Sequence, residues 1–110
     1  MAYDEDLADR IREAVGAQPD LTEMRMFGGL AFLVGGHMAV AAGGGGGAMV
    51  RADPGVAEEL VASGEAEPMV MRGRPMRGWL RLEPDRLRTA EQLTRWVELG
   101  VGYARSLPPK

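Results

Sequence analysis

Leu7, Ile11 and Val15 recur at four-residue spacing with Ala8 and Ala14 alongside, while Asp9, Arg10, Arg12 and Glu13 fall on the opposite side. Asp4 to Ala17 therefore predicts an amphipathic helix, acidic at its start and stopped by Gly16 and Pro19. From Thr22 the period changes to two. "TEMRMF" predicts a short extended segment, Gly28 and Gly29 interrupt it, and "LAFLV" places Leu30, Phe32 and Val34 on one face. The dipeptide Gly35-Gly36 predicts a hairpin turn, because both central residues can take positive φ, and "HMAVAA" predicts the returning strand.

Five glycines, Gly43 to Gly47, stand before "AMVRA", which again reads as a strand, so they predict a loose hairpin connection. Asp53 and Pro54 predict an N-cap and first turn for "PGVAEELVAS", with Val56, Leu60 and Val61 on its apolar side. Two further strands, about Met69 to Met71 and Gly78 to Leu82, are predicted on either side of the basic turn "RGRPMR". The last helix is the clearest. Thr89 and Gln92 form a capping box, and Leu93, Trp96, Val97, Val101, Ala104 and Leu107 recur at helical spacing up to Pro108 and Pro109. Gly100 and Gly102 weaken that helix, so close packing or close approach of another element is expected there.

The expected order is helix, three or four strands, helix, two strands, helix. It predicts a two-layer α+β domain with an antiparallel sheet of about five strands and helices packed on one face. At 110 residues a single domain over residues 1–110 is expected.

Composition narrows the chemistry. Cysteine is absent and His37 is the only histidine, which removes thiol catalysis and thiolate metal sites and leaves one imidazole for acid–base work. His37, at a predicted hairpin exit, reads as a solvated turn residue. Gly43, Gly45 and Ala48 formally fit G-x-G-x-x-A, but a strand rather than a helix follows, so no dinucleotide site is expected. No catalytic residue, metal or cofactor is assigned. The net charge of -3 argues against direct binding to nucleic acid or anionic membranes. An acidic start and the lack of an apolar run near ~18 residues point to a cytoplasmic protein.

Two features remain. Arg72, Arg74 and Arg77 cluster beside Trp79, where guanidinium groups suit an anion, while a solvated hairpin paired with nearby acids is the plainer alternative. Seven of the eight methionines lie in or beside predicted strands, as core filler or as an adaptable binding face.

The stretches "MAYDEDLADRIR", "MRMFGGLAFLVGGHM", "MVRA", "GRPMRGW" and "ARSLPPK" together resemble the N-terminal domain of the TfoX/Sxy family across nearly the whole chain. The resemblance implies a two-layer α+β domain. Longer members regulate natural competence with the cyclic-AMP receptor protein and carry a second domain, so this chain is expected to be the stand-alone form. Met26, Phe27, Gly28, Gly29, Arg51, Gly73, Arg74, Pro75 and Met76 match the family's motif positions. Gly28 and Gly29 are expected to permit a kink or bulge. Arg51, Arg74, Met76 and Arg77 are the expected partner or anion site.

Three functions follow as expectations. The first is a non-catalytic interaction or regulatory domain whose partner is another protein, a transcription regulator by resemblance, or a second copy in a homodimer. The second is a small-molecule or enzymatic site using Arg51 and Arg74. The third is nucleic-acid binding along the strip from Arg72 to Arg81.

Overall fold

The computed structural model describes residues 4–26, 28–43 and 46–108. Phe27, Gly44, Gly45 and Pro109, named above, lie outside the described residues. Along the chain run α1 (Glu5–Val15), β1 (Leu21–Met26), β2 (Gly29–Val34), β3 (His37–Ala42), β4 (Ala48–Arg51), α2 (Pro54–Ala62), β5 (Glu67–Met71), β6 (Arg74–Leu82) and α3 (Ala90–Ser106). The strands form one antiparallel sheet of six, ordered β1-β2-β3-β4-β6-β5, one more strand than the sequence pattern predicts.

The α+β class and element order agree with the sequence. Leu7, Ile11 and Val15 of α1 and Leu93, Trp96, Val97 and Ala104 of α3 join Phe32, Val34, Val40, Val50, Leu80 and Leu82 of the sheet in one core. Period two in the strands and period 3.6 in the helices bring these side chains to a common layer. The helix ends are built as expected. Thr89 Oγ1 accepts from Gln92 N at 3.0 Å while Gln92 Oε1 accepts from Thr89 N at 3.0 Å, and Asp53 Oδ1 accepts from Gly55 N at 2.9 Å.

Some local details differ. Gly28, at φ 72, belongs to the turn joining β1 to β2, with Met26 facing Gly29, so a hairpin replaces the expected kink. Gly29 is fixed by crowding, since a Cβ there would lie 2.3 Å from Ala42 O. The basic turn is also shorter than expected. Arg72 and Gly73, at φ 53 and 76, make a two-residue turn, and β6 already begins at Arg74. In α2 the core residue is Ala57, while Val56 is 37% exposed.

His37 departs from its expected solvated state. It is buried at the start of β3, with Nε2 2.6 Å from Pro108 O, which ties the segment after α3 to the sheet. The glycine run is closed by Gly43 N donating to Gly47 O at 2.9 Å. A register shift between Phe32 and Leu33 puts an extra residue, Ala39, in β3 opposite β2. At that bulge α3 lies so close to the sheet that only a residue without a side chain, Gly100, fits against Ala39.

Candidate partner-binding surface

All three helices contribute to the core on one side of the sheet. On the other side Ala31, Met38 and Ala41 are buried without a helix over them, beneath Met26, Leu33, Met49 and Trp79. Cross-strand register extends this face: Met24 opposes Ala31, Arg51 opposes Trp79, and Met49 opposes Arg81. Met26, Ala41, Met49, Met69 and Arg81 line a depression of about 310 Å³, bounded by Gly43, Gly47 and Pro84. Met26, Met49, Leu33 and Trp79 thus do the covering that a second helical layer would do elsewhere.

The arginines of this surface have different surroundings. The Arg51 guanidinium carbon lies 5.2 Å from the Trp79 ring centre and 5.5 Å from that of Tyr103, held between two aromatic faces. Arg81 bonds Glu83 at 2.8 Å and stands 4.0 Å from Glu67. Arg77 reaches Glu58 at 3.3 Å. Arg72 and Arg74, at the tip of the β5–β6 hairpin, are exposed and make no ion pair among the described residues.

Met76, Pro75 and Arg77 lie together, with Ala57, Val61 and Pro68, along a groove of about 360 Å³ between α2 and the β5–β6 hairpin. Trp79 lines that groove and also packs on the helix-free face, so the two surfaces meet at its ring. Gly73 shapes the hairpin tip, whereas Gly28 and Gly29 serve the β1–β2 hairpin at the other side of the sheet. Met26 shares the helix-free face with Met49.

Arg51 and Arg74 are not brought together. Arg51 faces Trp79, and Arg74 precedes Trp79 on β6 by five residues. At strand rise that is about 17 Å along β6. The strip from Arg72 to Arg81 is likewise broken, since Arg77 and Arg81 are taken up by carboxylates. Among the described residues no three His, Asp or Glu groups converge as metal ligands, and no helix is long and apolar enough to cross a membrane.

Three features were not visible in the sequence. The aromatic pair around Arg51 joins Trp79 to a residue of α3, far along the chain. The burial of His37 depends on Pro108, also distant. Arg10 Nη2 donates to Leu87 O at 2.6 Å, fastening α1 to the segment ahead of α3.

Searches of curated proteins and of solved structures found no match. A sequence profile described as the TfoX N-terminal domain matches residues 13–104, which takes in the last turn of α1, the whole sheet, α2 and most of α3. The chain belongs to the TfoX N-terminal domain family.

Proposed function

We propose that this domain is a non-catalytic, cytoplasmic interaction module of the regulatory kind, and that it holds another protein on the helix-free face of its sheet and along the adjoining hairpin. The observation that carries this reading is the layer of Met26, Met49 and Met69 around a depression that, among the described residues, no α-helix covers. Unbranched thioethers adapt to the shape of a partner at low cost. Arg51, two residues along β4 from Met49, and Arg72 and Arg74, at the distant tip of the β5–β6 hairpin, are the cations these two adjoining surfaces offer on a protein of net charge -3. The complementary partner is an apolar segment flanked by carboxylates. A transcription regulator, as the family implies, is the class of protein in which to look for it.

Affinity capture of the tagged domain from its own cell lysate, beside Met49→Gln and Arg74→Ala, tests this. A protein retained by the wild-type chain and lost from both variants, with their thermal melts unchanged, is the expected result. Equal retention by all three, or no specific protein at all, would refute the reading.

A further inference from the structure

The two edges of the sheet differ. β5 contains Pro68 and an irregular register between Pro68 and Val70, two devices that spoil an edge for further pairing. β1 has neither. Its six residues, Leu21 to Met26, pair with β2 in unbroken register, and Thr22, Glu23, Met24 and Arg25 are all exposed. Met24 is 48% exposed on the helix-free face.

The direction of the free backbone groups on β1 follows from one bond. Gly35 N donates to Asp20 O at 3.2 Å, so Asp20 and Gly35 form a hydrogen-bonded pair just outside the ladder. Such pairs alternate in an antiparallel ladder. Thr22, Met24 and Met26 therefore turn their N–H and C=O toward β2, and Leu21, Glu23 and Arg25 turn theirs to the open side. The Leu21 N–H is already bonded to Gln18 O. The outward donors that remain within β1 belong to Glu23 and Arg25.

A second copy related by a two-fold axis can use these groups only in registers centred on a residue. Centring on Glu23 sets Glu23 against Glu23, and centring on Arg25 sets Arg25 against Arg25. Centres at Thr22 or Met26 separate Glu23 from Arg25. Centring on Met24 opposes Glu23 to Arg25 of the other copy twice over, lets their backbones exchange four hydrogen bonds, and packs Met24 on Met24. Opposite charges directly across a ladder are favourable and like charges unfavourable. We infer that the chain forms an antiparallel homodimer through β1, with its axis at Met24, which joins the two sheets edge to edge.

The Glu23 carboxylate is already held by Arg12, at 2.7 Å from Nε and 2.8 Å from Nη2, so its orientation at the edge is set before association. The contact is small beside standard interfaces of roughly 1,600 Å², so association is expected to depend on concentration. It uses the β1 edge, five strands away from β5, and does not rest on the partner reading above.

Sedimentation velocity over a wide concentration range gives the first test, with a reversible monomer–dimer equilibrium expected. Glu23→Arg and Arg25→Glu each place like charges at both crossings and should each weaken self-association roughly tenfold or more. An equimolar mixture of the two variants restores opposite charges at both crossings and should form a heterodimer. A cross-link supplies an independent readout, because the chain has no cysteine. Met24→Cys should oxidise to a covalent dimer, since directly opposed non-hydrogen-bonded positions lie about 4.5 Å apart, within disulfide reach. Thr22→Cys should not, as its two copies would be about 13 Å apart along the strands. A wild-type chain that stays monomeric, a mixture that fails to associate, or equal cross-linking at both positions would each overturn the inference.

Discussion

Replacing Gly100 or Gly102 by alanine makes the same chemical change two residues apart on α3, and the structure predicts opposite outcomes. An alanine in a helix interior is favoured over glycine by about 1 kcal/mol. At Gly102, which is exposed with nothing within 4 Å of an added Cβ, that gain should be realised in full. At Gly100 the added Cβ would lie 2.2 Å from Ala39 O and 2.9 Å from Ala39 C. Ordinary contact begins near 3.4 Å, so α3 would have to retreat from β3 by about 1 Å.

Neither side of that contact can yield cheaply. The obstacle is strand backbone, and α3 is held on the same face by Trp96, Val97 and Ala104. Overpacking of this kind costs typically ~1–3 kcal/mol, and a backbone obstacle puts it at the upper end. Net of the helix gain, Gly100→Ala should destabilise by about 2 kcal/mol and Gly102→Ala should stabilise by about 1. For a chain of this size these become melting-temperature shifts of roughly 8 °C down and 4 °C up. Thermal unfolding followed by circular dichroism, with urea titrations to obtain free energies, measures both. A Gly100→Ala protein at least as stable as wild type would refute the reasoning, because the close approach of α3 would then not constrain that position.

Two other perturbations test the cap of α2 and the α1–β1 link. Asp53→Ala removes the acceptor for Gly55 N and Val56 N and should cost about 1 kcal/mol, read as a lower urea midpoint. The hydrogen bond and charge of Arg12 hold the Glu23 carboxyl below the usual carboxylate range despite partial burial. Its folded pKa is depressed, so its contribution is present above the ordinary glutamate value and lost as pH falls through the depressed one. With the side chains 41% and 33% exposed, screening limits that contribution to about 0.5 kcal/mol. Acid titrations of stability at low protein concentration should show this loss in wild type and not in Glu23→Gln.

The sequence was most legible where one local rule acted alone. The capping box at Thr89 and Gln92, the Gly-Gly turn before β3 and the period of α1 each depend on neighbours within a turn or a strand pair, and each is formed as read. In sequence Arg74 to Arg77 read as part of a turn because Gly73 and Pro75 punctuate the stretch, yet the two-residue turn at Arg72 and Gly73 lets the strand begin at once. His37 looked solvated because nothing near it in the chain announces Pro108, 71 residues away. The methionines posed a harder problem. Alternation assigns residues to two faces but does not say which face the helices cover, so core filler and open surface look the same until the sheet is assembled. The divided placement of Arg51 and Arg74 was hidden for a related reason, as separation along β6 depends on where that strand begins.

The helix-free face shows how one sheet can be both sealed and available. Ala31 and Ala41 are small and fully or nearly fully buried, with relative exposures of 0% and 6%, although no helix lies above them. Larger residues there would lift the overlying methionines into solvent. With alanine as the floor, Met26, Met49 and Leu33 can fold down over it and exclude water while the domain is alone. The same side chains have several rotamers of similar energy, so a partner can rearrange them without opening the helical core on the other side. Substitutions on this face should therefore separate from those on the opposite face: Met49→Gln changes what the surface can hold, whereas Gly100→Ala changes whether α3 can stay on the sheet.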